Sequence, residues 1–305
     1  MIYILIGLIG FGFLIFTFSK RNKSNRRNYS LGLKTAEDIA INIQTGDYDT
    51  ADSTIRSADY NDITQIVDHV ALSLSKETLQ KWSTASASDF SKICLGVFYL
   101  HQAWIERSHS FGKDVYQKKA NLFFENLELS VETFSEISET SQFYPEVLSR
   151  KIRLQMSLGN SDDATACFNE VSGKYPELID PYIHYAEMIQ PKWGGTLKSI
   201  ETFVQNLPDD YLIRSIVELK LIHDSLIMDD NYFVFQTKNL IEFAQEKIRA
   251  IDNKLSSNTM RTVHRYILYN YMESVAHSVN DKSLLKKYGT LSANKQTLYP
   301  HGLVV

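Results

Sequence analysis

Residues 143–176 read FYPEVLSRKIRLQMSLGNSDDATACFNEVSGKYP, and this stretch decides the fold of the chain. In its first half, Leu148 and Ile152 are four residues apart, and in its second half Ala164 and Phe168 have the same spacing. Apolar residues at this spacing lie on one face of an α-helix. The stretch therefore predicts two amphipathic helices that pack against each other.

The same stretch resembles a tetratricopeptide repeat, a 34-residue helix–turn–helix unit. Gly159 occupies the turn, and Ala164 is the small residue that lets the two helices approach closely. Phe168 then fills the groove formed with the next repeat, and Pro176 ends the second helix. Gln155 is a weak match at one inward position of the first helix.

A second, partial match spans residues 32–65. Gly46 resembles the turn, and Ala51 and Ile55 fall in register, but no closing proline is present. Gly46 and Gly159 are 113 residues apart, which is not a multiple of 34. The repeats therefore predict an all-α fold made of an irregular array of tetratricopeptide-like helical hairpins rather than a uniform solenoid.

We place the helical domain at residues 35–288 and assign 289–305, which have no clear period, to a C-terminal tail. Thr35 to Asp38 resemble a capping box that begins the first helix. No run alternates between apolar and polar residues as a half-buried strand would. Helical periodicity predicts further helices at 90–107, 123–137, 180–189, 196–206, 210–227, 230–252 and 258–279.

The first 19 residues predict a transmembrane anchor, because Ile2 to Phe18 are almost wholly apolar. A helix of about 18 residues rises about 27 Å, close to the thickness of the hydrocarbon core. A cleaved signal peptide is the alternative, but no base precedes the apolar run and no Ala-x-Ala site follows it. We therefore favour an uncleaved anchor, which gives the fold one N-terminal transmembrane helix.

Residues 20–34 form a basic linker next to this anchor. Five bases lie at its start, next to the anchor: Lys20, Arg21, Lys23, Arg26 and Arg27. The positive-inside rule then predicts a single-pass membrane protein whose helical domain faces the cytoplasm. The same bases would contact anionic headgroups, each contributing about 1 kcal/mol near the surface.

Residues 28–305 are acidic, since they contain the remaining 27 of the 32 bases and all 36 acids. DNA and RNA binding depends largely on neutralising phosphates, so the composition argues against a nucleic-acid partner. A partner with basic character is mildly favoured instead.

Two short stretches resemble a bacterial family of uncharacterised proteins with tetratricopeptide-like folds. One is Ala103-Trp104-Ile105-Glu106-Arg107, and the other is Pro191-Lys192-Trp193-Gly194-Gly195. Together with Gly46-Asp47 they extend the resemblance over about 35–210. The resemblance implies a helical fold and a bacterial origin, and it implies no catalytic residues and no cofactors.

The candidate binding residues come from these two stretches. Trp104 and Arg107 share one helix face, so they form either a buried tryptophan beside a snorkelling or paired arginine or, together with His101, a pocket for an anion. Arg107 has Glu106 as one available acid. Lys192 and Trp193 belong to a loop that either folds back between hairpins or faces a ligand.

Motifs that carry catalysis are missing from the sequence. It contains no P-loop, no dinucleotide-binding glycine pattern and no nucleophile elbow. His184 and Glu187 are three residues apart, but in the reverse order of helical dimetal sites, so we predict no metal. Cys94 and Cys167 read as free thiols rather than as a disulfide.

Three functions remain open. The first is a membrane-tethered module that binds an unknown protein or peptide, and we favour it over an enzyme. The second is an enzyme or small-ligand binder with a pocket near Trp104, Arg107, His184 and Trp193. The third is a structural subunit of an envelope complex.

Overall fold

A computed structural model describes residues 28–107, 116–227, 239–255 and 260–293, together with Lys295 and Thr297. These residues are mostly helical, and none of them lies in a β-strand. The predicted all-α class is therefore confirmed. The predicted anchor at 1–19 and the five bases that follow it lie outside the described residues. Within the described part of the chain, no helix is long and apolar enough to cross a bilayer.

Fourteen α-helices lie within the described residues. In chain order they are α1 Lys34–Thr45, α2 Tyr48–Arg56, α3 Ile63–Ser73, α4 Lys76–Ala85, α5 Asp89–Arg107, α6 Gln117–Ser135, α7 Tyr144–Leu158, α8 Ser161–Lys174, α9 Ile179–Met188, α10 Leu197–Gln205, α11 Tyr211–Ile227, α12 Leu240–Leu255, α13 Thr262–Ser278 and α14 Lys282–Ser292. Two single-turn 3-10 helices, Tyr60–Asp62 and Pro191–Trp193, precede α3 and follow α9.

Most predicted helices overlap these elements, but some bounds differ. α6 begins at Gln117, six residues before the predicted start at 123. The helix predicted at 230–252 corresponds to α12, which is described only from Leu240 and continues to Leu255. The predicted tail at 289–305 begins too early, because α14 continues to Ser292.

The odd-numbered helices form one continuous layer. Each of them, from α1 to α13, contacts the next odd-numbered helix. The even-numbered helices α2, α6, α8, α12 and α14 each pack against the helix that precedes them. The chain is thus a succession of helix pairs whose first members line up side by side, and α7 stands in the middle of this inner layer.

The glycine turns predicted at Gly46 and Gly159 are confirmed. Both glycines adopt left-handed backbone angles, with φ of 83° and 81°. The amide after each glycine bonds a carbonyl five residues earlier, at 2.8 Å for Asp47 and 2.9 Å for Asn160. This pattern satisfies the last carbonyls of a helix, and an L side chain would be strained at either glycine.

The capping box predicted at Thr35 is wrong. The helix α1 begins at Lys34, one residue before Thr35, and its N-cap Leu33 makes no side-chain capping bond. Glu37 instead accepts hydrogen bonds from Asn28 Nδ2 at 3.0 Å and Ser30 Oγ at 2.8 Å. The carboxylate is therefore committed to the preceding turn rather than to the end of the helix.

Two clusters of buried apolar side chains make up the core, and α7 contributes to both. Val147 and Leu154 belong to the cluster of α1–α6, whereas Leu148 and Ile152 belong to the cluster of the later helices. α7 also contacts α5, α6, α8 and α9. Its side chains therefore join the two halves of the chain.

The two ends of the array meet. Leu31, which precedes α1, is 1% exposed and belongs to the core of the later helices. Arg261, at the start of α13, bonds Asp59 at 2.6 Å and Asp62 at 2.7 Å. These contacts join the first and last described parts of the array.

The two cysteines are free, as predicted. Cys94 is buried in α5, and Cys167 is partly exposed in α8. Burial raises the pKa of the Cys94 thiol well above its usual value, so the thiol stays neutral and inert.

Gly96 provides a test of the contact between α5 and α6. A β-carbon on Gly96 would lie 2.5 Å from a ring carbon of the buried Phe134, whereas one on Gly173 in α8 would meet nothing within 4 Å. We expect Gly96→Ala to lower the free energy of unfolding by about 1–3 kcal/mol, since overpacking costs that much. Gly173→Ala, the matched control, should leave stability unchanged or raise it by up to about 1 kcal/mol.

Urea unfolding followed by circular dichroism measures both changes. Equal stability of the two variants would show that α5 and α6 do not approach each other as closely as described.

Candidate functional site

The predicted binding residues lie at one edge of the inner layer. Trp104 and Arg107 occupy the last turn of α5, and Lys192 and Trp193 occupy the 3-10 helix that follows α9. The structure therefore brings together the two stretches that were singled out in the sequence.

Trp104, Arg107 and Trp193 contact one another directly. The two indole rings meet edge to face, with centroids 5.7 Å apart and planes at 75°. The guanidinium carbon of Arg107 lies 5.0 Å from the Trp104 centroid and 4.6 Å from the Trp193 centroid. All three side chains are partly exposed. Each cation–π contact stabilises by about 0.5–2 kcal/mol, more as it is desolvated, so the three side chains hold one another in place.

Two further side chains complete this group. Phe123 of α6 meets Trp104 edge to face at 6.0 Å, and the guanidinium carbon of Arg153 in α7 lies 4.2 Å from the Trp104 centroid. We call Trp104, Arg107, Phe123, Arg153 and Trp193 the tryptophan–arginine cluster. Because its members come from α5, α6, α7 and the loop after α9, the cluster is fixed by the fold rather than by one flexible segment.

The two glycines after Trp193 shape the loop that carries it, in different ways. Gly194 has a φ of 90°, which glycine adopts without strain. Gly195 instead permits close approach, because a β-carbon there would lie 1.8 Å from the Ile189 carbonyl oxygen. Thr196 caps α10 by accepting a hydrogen bond from the Ser199 amide at 3.0 Å.

Glu187 of α9 holds the loop in place through hydrogen bonds to two of its side chains. Its carboxylate accepts from Lys192 Nζ at 2.7 Å, from Trp193 Nε1 at 3.1 Å and from Lys220 Nζ at 2.5 Å. Burial alone would raise the pKa of Glu187, yet the Lys220 ammonium holds it below its usual value. Lys192, predicted as a binding residue, is therefore already paired within the protein.

Arg107 is not paired in this way. No carboxylate of the described residues lies within 4.0 Å of its guanidinium, so the pair with Glu106 that the sequence allowed is not formed. Burial lowers the pKa of Arg107 and the nearby Arg153 lowers it further, whereas the charge of Glu187 acts in the opposite direction. The indole N–H of Trp104 is also buried without an acceptor. The tryptophan–arginine cluster therefore contains donors that nothing in the described chain satisfies.

The two histidines that were linked to this site bond groups outside the cluster. His184 Nδ1 is 2.9 Å from the Ser149 carbonyl oxygen, and His101 Nε2 is 3.3 Å from Asp68 Oδ1. The charge of Arg153 acts on both rings and helps to lower their pKa values. Of the four residues predicted to share a pocket, Trp104, Arg107 and Trp193 contact one another, and a pocket that also includes His184 stays a prediction.

His101 belongs instead to a buried ionic network that sequence reasoning missed. Its centre is Arg150 in α7, only 2% exposed, which bonds Glu146 at 2.7 Å and Asp68 of α3 at 2.8 Å. Thr64 Oγ1 donates to Glu146 at 2.7 Å. Burial tends to raise the pKa of Asp68, but Arg150 and then His101 hold it below its usual value. The network joins α3, α5 and α7, and its groups satisfy one another.

A cavity of about 20 Å³ adjoins this network, where α3, α7, α9 and α13 converge. Thr64, Glu146, Asp180 and His264 are among its lining residues. Such a volume holds about one water molecule and is far too small for a substrate. Burial raises the pKa of Asp180 to about 7, and the Glu146 charge adds to this against the pull of Arg150.

The described residues contain no group of three or more histidine, cysteine, aspartate or glutamate side chains placed to hold a metal ion. His184 and Glu187, whose spacing raised the question, lie in different networks.

Comparison with known proteins adds no relative. No family model matches the chain, and no curated protein or solved structure matches it. The resemblance to the bacterial tetratricopeptide-like family therefore stays a prediction.

The buried titratable groups make stability depend on pH. Burial lowers the pKa of His184 to about 3, so the unfolded chain binds an extra proton below pH 6.5 and stability falls as the pH falls through that range. The raised pKa of Asp180 acts in the other direction, because between pH 3.8 and about 7 the folded state keeps a proton that the unfolded chain has lost, so this contribution falls as the pH rises. The two contributions therefore offset each other between about pH 4 and 6.5.

Asp180→Asn should remove the second contribution, so that stability between about pH 4 and 6.5 rises with pH more steeply than in the wild type, by up to about 1.4 kcal/mol per pH unit for one proton. Urea unfolding between about pH 4 and 8 measures this. Asp163→Asn, at an exposed position in α8, should keep the wild-type profile. An Asp180→Asn profile that matches the wild type between about pH 4 and 6.5 would contradict the raised pKa of Asp180.

Proposed function

We propose that this chain is a membrane-anchored, tetratricopeptide-like helical-repeat protein that binds another protein through the tryptophan–arginine cluster. The observation that carries the proposal is a preassembled pair of indoles around a partly exposed arginine that pairs with no carboxylate of the described residues. Tryptophan and arginine dominate the energetic centres of protein interfaces, where they pack in pockets that lose water on binding.

The arrangement of the helices supports the repeat part of this proposal. Alternate helices line up in one layer and most of the others pack outside it, as in stacked helical hairpins. The turns at Gly46 and Gly159, which come from the two stretches that match the repeat pattern, have the same backbone conformation.

The partner docks at the edge of the array rather than inside it. The centre is occupied by Arg150 and its carboxylates, and the adjoining cavity holds about one water molecule. At the edge, Phe124 is 50% exposed and packs against Phe123 with centroids 5.2 Å apart. Phe124 therefore extends the aromatic surface that a partner would cover.

A photo-crosslinking amino acid at position 124, introduced into the full chain in cells, tests the docking surface. We expect a discrete adduct at position 124 and none at position 41 in α1, where Ile41 is 56% exposed. Trp193→Ala and Arg107→Ala should abolish the adduct, because each removes one side of the cluster. Leu197→Ala, a partly exposed position in α10, should keep it.

An adduct that forms equally from position 41, or that survives both cluster substitutions, would rule out this surface.

The anchor is supported by the sequence alone. Ile2 to Phe18 are long enough to span a bilayer, and all five nearby bases lie on one side of them. An anchor of this kind holds the docking surface at the inner leaflet, where a weak partner is met at a high local concentration.

We expect the full chain to stay in the membrane fraction after carbonate extraction. A fluorescent reporter fused after Val305 should fluoresce in the cytoplasm. Replacing the five bases with glutamine should scramble the orientation, since the charge bias is then lost. A chain released by carbonate, or a reporter found outside in the unaltered chain, would refute the anchor or its direction. Glutamine at five exposed lysines of the helical domain is the control.

A further inference from the structure

The cations around the tryptophan–arginine cluster differ in what they are bound to. Lys192 and Lys220 both contact Glu187, and Lys220 also bonds Asp224 at 2.6 Å. Arg107 has no carboxylate within 4.0 Å among the described residues. Among these cations, Arg107 is therefore the one that no carboxylate of the described residues neutralises.

The placement of Arg107 makes it a good anion receptor. Its guanidinium lies over the faces of Trp104 and Trp193, and this position leaves the N–H groups in its plane free to donate. Partial burial weakens its hydration, and Arg153 nearby adds a second positive charge. A carboxylate placed against Arg107 would accept charge-assisted hydrogen bonds in a site with little competing water.

We infer that the docking segment of the partner carries an aspartate or glutamate whose carboxylate binds Arg107, next to an apolar side chain that packs on Trp193 and Phe124. This inference rests on the proposed function and specifies the chemistry of the partner at the same surface. It reverses the expectation from net charge, because the acidic domain has a local excess of cations at this edge.

A peptide carboxylate suits the site better than a phosphate-rich surface. Glu187 and Asp224 lie close to the cluster and would repel an extended polyanion. A single carboxylate can reach Arg107 while the flanking apolar side chain stays on the aromatic rings. Anionic lipid headgroups thus become an outcome to be tested, not the expected ligand.

A random peptide library displayed on phage and panned against the full chain in zwitterionic nanodiscs tests the inference. Peptides selected by the wild type and rejected by Trp193→Ala should be enriched in an acid beside an apolar residue. For a synthetic peptide of that kind, acid-to-amide replacement should weaken binding by about tenfold or more.

Arg107→Gln should weaken the parent peptide by a similar factor and should add nothing to the loss seen with the amide peptide, because the two changes remove one interaction. Arg107→Lys should recover part of the affinity. Arg249→Gln, at an exposed position in α12, is the matched control and should bind as the wild type does. Thermal unfolding of each variant checks that it is folded.

The other possible outcomes contradict different parts of the proposal. Selected peptides that depend on Trp193 but show no acidic bias would contradict the inferred partner carboxylate and would leave the proposed function unaffected. A lack of any peptide that depends on Trp193 would count against the proposed function itself. Binding of vesicles rich in phosphatidylserine, lost in Arg107→Gln, with no acidic peptides selected, would assign the site to lipid headgroups.

Discussion

The burial of Arg150 is the constraint on which the rest of the structure depends. A guanidinium that is 2% exposed must be neutralised and hydrogen-bonded where it lies, because the cost of an unpaired buried charge is several kcal/mol. Glu146 comes from the same helix, but Asp68 comes from α3, so the charge is satisfied only when the two helices are correctly aligned. The network therefore selects one packing of the inner layer among those that apolar contacts alone would allow.

The Arg150 network and the tryptophan–arginine cluster have different roles in the fold. In the network around Arg150, carboxylates, a hydroxyl and a histidine supply partners for one another, and the space left over is about 20 Å³. In the tryptophan–arginine cluster, rings position a cation without neutralising it. The groups of the network are satisfied within the fold and stabilise it, whereas the cation of the cluster is available to bind an anionic group of a partner. This difference is the reason that the tryptophan–arginine cluster, and not the buried ionic network, is the candidate site.

The sequence was sufficient for the features that depend on neighbouring residues. Gly46 and Gly159 end helices because only glycine adopts their backbone angles without strain, and this signal is local. The network could not be found in that way. The spacing of Glu146 and Arg150 suggests a helical ion pair, but nothing in the sequence places Asp68 beside them. His184 shares a helix with Glu187, and only the rotation of α9 decides that they face different networks.

The contact between the two ends of the array changes how the chain would come apart. An open solenoid loses its terminal units first, because each end unit has one neighbour. Here Leu31 lies in the core of the opposite half, and Arg261 reaches back to Asp59 and Asp62. The first and last described hairpins are therefore held to each other as well as to their neighbours along the chain. Loss of either one breaks contacts with the opposite half, which favours a cooperative unfolding over progressive loss of end units.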